Sequence, residues 1–139
     1  MLMNTSYTTD FTVFPGDLNA MGALFGGFLL SRMDVASATL ARKLLYGSGA
    51  DGAVTASMDK VDFLAPGHLN DLVTITCELK SLGKSSMTIK CKVLREDIKG
   101  KIENICTAIF IFVSMKDGKP FPHRLSFTEP SESQEQRNI

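Results

Sequence analysis

The chain has no net charge: 15 basic residues are balanced by 15 acidic ones among 139 residues. Nucleic-acid-binding domains are usually clearly basic, so the balance argues against DNA or RNA as partners. Near-neutrality also gives little charge-based solubility, which suits an assembly that hides apolar surface. Cysteine is scarce. Cys77, Cys91 and Cys106 are odd in number and lack CxxC spacing, so neither a disulfide framework nor a zinc site is indicated. His68 and His123 stand alone, and no HExxH pattern occurs, so no metal is expected. Long apolar runs are missing too. The longest, Ile105 to Met115, is about half a membrane span. The opening MLMNTSYTTD has neither the basic nor the apolar region of a secretory signal. A cytoplasmic protein without a membrane partner is expected.

What is present is enough apolar residue, 44%, for a core, in a chain whose length points to one domain. The stretch Phe14 to Tyr46, FPGDLNAMGALFGGFLLSRMDVASATLARKLLY, dominates it. Its first part is a loop, marked by Pro15-Gly16, Asp17, Asn19 and Gly22. From Ala23 to Tyr46 the spacing predicts a helix, stopped by Gly47, Ser48 and Gly49. Placed at helical steps, Leu24, Phe25, Phe28, Leu29, Leu30, Met33, Val35, Leu40 and Leu44 occupy nearly every side, so the helix is expected to be buried. One stripe, Gly27, Leu30, Asp34, Ala38, Ala41 and Leu45, holds a single ionisable group. A buried carboxylate is costly. Asp34 is therefore paired with Arg32 or Arg42, turned to solvent, or functional.

The rest reads as strands. Tyr7 to Val13 alternates weakly, as an edge strand does. Ala53 to Phe63 is polar at many positions, so one side faces water, a cavity or another subunit. Leu72 to Leu82 and Met87 to Val93 alternate cleanly around Gly83, a hairpin with one buried face on which Cys77 and Cys91 are near neighbours, read as two reduced thiols with a disulfide as the alternative. Ile102 to Met115 is apolar on both faces: Ile105, Ile109, Ile111 and Val113 on one, Cys106, Ala108, Phe110 and Phe112 on the other. Such a strand lies mid-sheet or under a partner. Residues 128–139 are polar and expected to be a disordered tail. The order implies one α+β domain over residues 1–127, a five-stranded, mainly antiparallel sheet wrapped around one long helix. A helix stripe that the sheet leaves bare must meet a second copy, so at least a homodimer is expected.

Five motifs, in order, resemble the hotdog-fold acyl-CoA thioesterases, in particular the bacterial hydrolases related to YciA and the mammalian cytosolic acyl-CoA hydrolases. They are PGDLNAMG (15–22), FGG (25–27), Met33-Asp34, DKVDFLAP (59–66) and GKSSM (83–87). The resemblance covers roughly Asp10 to Met115. It implies hydrolysis of acyl-CoA to a free acid and CoA, with a non-catalytic acyl-CoA-binding protein as the alternative. It implies Asp34 and Asn19 as the catalytic pair, one from each subunit. Asp34 would activate a water or attack directly, and Asn19 would orient water or carbonyl. The amides of Gly26 and Gly27 would hold the oxyanion. Gly83, Lys84, Ser85 and Ser86 resemble the CoA-binding segment, with Arg95 a weaker phosphate contact. Phe25 stands where many relatives have His and adds an apolar wall. Met21, Leu24, Phe25 and Phe28 would line the acyl pocket. Asn70-Asp71 stands where relatives often have Gly-Asp, and Asn tolerates the left-handed backbone that such a turn needs. No separate cofactor is implied, since CoA belongs to the substrate. Relatives often form hexamers as trimers of dimers, and the strand near Phe110 and Phe112 is compatible with that. Dehydratases and acyl-CoA-sensing regulators share the fold. The first would need a His–Asp pair by the helix, and the second a DNA-binding segment longer than this N-terminal arm.

Overall fold

The computed structural model describes residues 4–127. Strand β1 (Ser6–Thr12) leads through a one-turn 3-10 helix (Pro15–Asp17) to α1 (Gly26–Leu44). Then come β2 (Gly52–Phe63), β3 (Leu72–Leu82), β4 (Ser86–Glu96), β5 (Ile102–Lys116) and a two-residue β6 (Lys119–Pro120). The strands form one antiparallel sheet in the order β1-β3-β4-β5-β2, with β6 folded back on β5. The expected tail, residues 128–139, lies outside the described residues.

The chain crosses from one sheet edge, β1, to the other, β2, through α1, which therefore lies across one face of the sheet. Alternation in β3 and β4 sends Val73, Ile75, Cys77, Leu79, Met87, Ile89, Cys91 and Val93 into the core under Leu29, Met33, Leu40 and Leu44. The hairpin follows the sequence reading, and Cys77 and Cys91 are paired across it with sulfurs 3.9 Å apart. Asn70 has φ 69°, so the turn before β3 takes the left-handed conformation expected of it.

Three expectations change. The helix begins at Gly26, not Ala23, because the loop takes the preceding amides: Ala23 N–H donates to Asn19 Oδ1, Leu24 N–H to Gly67 O and Phe25 N–H to Asp17 O. The helix is also not buried on every side. Leu29, Met33, Ala36, Ser37, Leu40, Ala41 and Leu44 are buried, but Val35 is 65% exposed, since a single sheet covers only one side of a cylinder. On β5, Phe110 and Phe112 are buried against α1, so they do not offer an outer surface. That face carries the half-buried Ile109, Ile111 and Val113 instead. Ile105 joins the buried set, because the β4–β5 register shifts between Val93 and Leu94 and turns the strand locally.

Cys106 lies beside β2 at Phe63, and burial pushes its thiol from the ordinary 9.0 up to about 11. A raised folded-state value means the unfolded thiol loses its proton first. The linked stability is intact below about pH 9 and falls away as pH rises towards 11. The alkaline fall in urea midpoint over that window should therefore be shallower in Cys106→Ala than in the wild type. Parallel curves would show that Cys106 makes no contribution.

Candidate active site

The loop before α1 carries the first cluster of candidate groups. Asn19 Oδ1 accepts the amides of Met21 and Ala23 at 2.9 and 3.1 Å, and Asn19 N–H donates to Ala23 O at 2.7 Å. Gly22, with φ +80°, completes the tight turn. The side-chain oxygen of Asn19 is thus used by the loop, which leaves its amide NH2 as the group available to a ligand.

Asn19 borders a cavity of about 400 Å³ shared with Leu24, Gly26, Leu29, Phe63, Pro66 and Ile105, a mostly apolar lining. Gly26 opens α1 at its rim. The amides of Gly26, Gly27 and Phe28 precede the first intrahelical bond, Leu29 N–H to Phe25 O, so they lack a helical acceptor. A Cβ on Gly26 would stand 3.3 Å from the Phe63 ring, and one on Gly27 would stand 2.9 Å from the Phe25 ring. The two glycines therefore let aromatic rings pack directly against the helix start. Of the four side chains expected to line an acyl pocket, only Leu24 lines this cavity. Met21 is 90% exposed, Phe25 faces outward over Gly27, and Phe28 packs edge-on against Phe11.

Asp34 lies elsewhere. It is eight residues further along α1, about 12 Å at 1.5 Å per residue. It is half-buried, and neither arginine is its partner: Arg32 sits over the Phe11 ring and Arg42 is exposed. Instead Thr55 Oγ1 donates to Asp34 Oδ1 at 2.7 Å. Thr55 was not among the residues singled out from the sequence. It meets Asp34 only because β2 packs along α1, and the one available signal was the run of threonine and serine on a strand with a polar side. The hydrogen bond fixes one carboxylate oxygen and leaves Oδ2 without a partner among the described residues.

The turn at residues 83–86 joins β3 and β4 at the Thr55 end of the sheet, since Met87 pairs with Phe112 and Phe112 with Thr55. The Asn19 cavity is at the other end, where Phe63 pairs with Cys106. These levels are six residues of β5 apart, Phe112 to Cys106, or about 20 Å along the strands. Lys84 is exposed at the turn, and a side chain at Gly83 would run into the Ser86 hydroxyl. Arg95, expected as a phosphate contact, is held elsewhere. Its guanidinium donates to Pro66 O at 3.1 Å and is paired with Asp71 and Glu103 at 3.6 and 3.5 Å. It braces the wall of the Asn19 cavity, far from the turn. Asp59 and Asp62 are both exposed on β2. No helix among the described residues is long and apolar enough to cross a membrane.

One chain thus holds two separate clusters of candidate groups. Asn19, Gly26 and an apolar cavity lie at one end, and Asp34, Thr55 and the 83–86 turn at the other. Residues 21–101 match the family model of the thioesterase superfamily. The chain is 40% identical over 113 residues to a Bacillus subtilis protein named as an uncharacterized acyl-CoA thioester hydrolase, YkhA; the match covers 79% of this chain but only 63% of that protein. It is 35% identical over 114 residues to the acyl-CoA thioester hydrolase YciA of Salmonella typhimurium, covering 78% of this chain and 82% of the other. Among solved structures, an acyl-CoA hydrolase from Staphylococcus aureus in complex with butyryl-CoA, CoA and CoA disulfide superposes with a TM-score of 0.74 at 32% identity, covering 83% and 69% of the two chains. Alanine variants of that hydrolase at an asparagine, an aspartate and a threonine have also been crystallised. A hexameric thioesterase from Yersinia pestis superposes with a TM-score of 0.76 at 32% identity, covering 86% and 95%. With its single helix laid across an antiparallel sheet and these similarities in sequence and structure, the chain belongs to the hotdog-fold acyl-CoA thioester hydrolases of the thioesterase superfamily.

Proposed function

We propose that the chain hydrolyses acyl-CoA thioesters at sites shared between two copies. Asp34 and Thr55 come from one copy, and Asn19, Gly26 and Gly27 from the other. The observation that carries this is the separation of the two half-sites within one chain. Strand β2 is a sheet edge, with Val54, Met58 and Phe63 exposed. An apolar edge strand invites pairing. A two-fold axis through the middle of β2 would pair it antiparallel with its copy. The Thr55 level of one chain would then oppose the Phe63 level of the other, and Asp34 would face the partner's Asn19 cavity. The asparagine, aspartate and threonine varied in the Staphylococcus aureus hydrolase are the same three residue types.

A thioester carbonyl is electrophilic enough that water can serve as nucleophile. Asp34 Oδ2 takes the water proton while Thr55 holds Oδ1. The free amides at the start of α1 and the Asn19 NH2 stabilise the oxyanion. The acyl chain enters the apolar cavity, and the CoA phosphates reach the 83–86 turn, where Lys84 supplies a point charge. This chemistry draws on side chains, water and substrate, with no separate cofactor. The dimer is the smallest competent unit. The half-buried Ile109, Ile111 and Val113 on β5 offer a surface for assembly into a hexamer like that of the Yersinia pestis thioesterase.

A mixing experiment tests the shared site. Asp34→Asn and Asn19→Asp are each expected to be nearly inactive. Unfolded and refolded together at equal ratio, half of the dimers would be mixed and each mixed dimer would hold one intact site. Free-thiol release should return to about a quarter of wild type. A mixture as inactive as its components would place both residues in the same chain's site and sink the proposal.

A further inference from the structure

The segment 121–127 is short and irregular, yet it is tied to one place. Phe121 N–H donates to Ser114 O at 2.7 Å, and His123 N–H to Lys84 O at 3.2 Å. His123 is only 4% exposed. Its Nδ1 accepts Leu125 N–H at 3.1 Å, so the ring proton is on Nε2, which donates to Ser86 O at 3.0 Å. Ser85 O is taken by Ser114 N–H at 2.7 Å. Every carbonyl from Lys84 to Ser86 is therefore held by a protein donor. The amides of Lys84 and Ser85 have no acceptor among the described residues. Ser86 O also accepts Gly83 N–H at 3.0 Å, so His123 supplies two of the four donors.

A turn can offer an anion its amides or, after a peptide flip, its carbonyls. Only the first attracts phosphate. The Ser85 N–H shares its peptide with Lys84 O, so the His123 N–H bond to that carbonyl opposes the flip, and the imidazole bond to Ser86 O holds the His123 backbone in place to make it. We propose that His123 is a positioning residue for coenzyme A: it clamps the 83–86 turn so that the Ser85 amide, with the Lys84 ammonium, stays presented to a phosphate of the substrate. This rests on the turn being the phosphate site, as set out above. It gives the closing segment of the described chain a role in substrate binding without contact to substrate.

Two substrates separate this role from mere stability. One is an acyl-CoA. The other carries the same acyl group on N-acetylcysteamine, which keeps the thioester but lacks the nucleotide phosphates. His123→Asn keeps an acceptor for Leu125 N–H but is too short to reach Ser86 O. It should raise KM for the acyl-CoA about tenfold, with kcat little changed and the short thioester unaffected. His123→Gln, which can still donate to Ser86 O, should recover most of the loss. An equal loss with both substrates, or no rescue by glutamine, would overturn the clamp in favour of a purely structural histidine. Lys84→Ala distinguishes the two levels of the argument. If it raises KM for acyl-CoA alone while His123→Asn does not, the clamp fails and the turn stands. If neither variant discriminates between the substrates, the turn itself is not the phosphate site, and the clamp fails with it.

Discussion

Asp34→Asn is expected to lower kcat for acyl-CoA hydrolysis by about 10²–10⁴, the range for a positioned acid–base group. The substitution keeps the shape of the side chain and leaves an oxygen that can still accept the Thr55 hydroxyl bond of 2.7 Å. It removes the group that accepts a proton from water. The surroundings are also undemanding: Asp34 is half-buried on the helix, and its hydrogen bond to Thr55 is its one recorded partner among the described residues. The protein should therefore fold and assemble normally while its chemistry stops. Thiol release over a panel of acyl-CoAs, with size-exclusion profiles of both proteins, makes the comparison. A variant with wild-type kcat would remove Asp34 from the mechanism.

The second large effect is expected at Asn19, where the choice of substitution decides what is learned. Alanine would delete the acceptor of the Met21 and Ala23 amides and so disturb the whole turn. Asn19→Asp retains that acceptor and loses only the NH2 donor, placing a negative charge where an oxyanion forms. Loss of one oxyanion donor typically costs about 10²–10³ in kcat, and the added charge should bring this variant to the upper part of that range or beyond. Ground-state affinity, read by titrating CoA product, should change far less. If Asn19→Asp keeps its kcat and loses CoA affinity instead, Asn19 serves binding and not the transition state.

The strands were largely readable because alternation reports a buried face directly. Val73, Ile75, Cys77 and Leu79 declare one, and β3 begins and ends where the pattern does. The helix was readable as a helix, but its start was not. Ala23 and Leu24 continue the apolar pattern, and only the demands of Asn19 and Gly67 on their amides keep them out of α1. Asp34 stood out as the one charge on an apolar stripe. Thr55 did not, because one threonine among several on a strand carries no mark of its partner. Arg95 shows the converse: a cation in the sequence says nothing of the Pro66, Asp71 and Glu103 contacts that hold it.

By itself the sequence determined one helix, a mainly antiparallel sheet, an apolar core and the residue types available for chemistry, since these follow from local period and composition. Three things were left to the tertiary structure: the strand order that leaves β2 at an edge, the placing of the Asn19 and Asp34 clusters towards opposite ends of it, and the link from His123 to the 83–86 turn. Each depends on contacts between residues distant in the chain. Such contacts arise from how whole faces pack, and no local pattern encodes which distant backbone a side chain will meet.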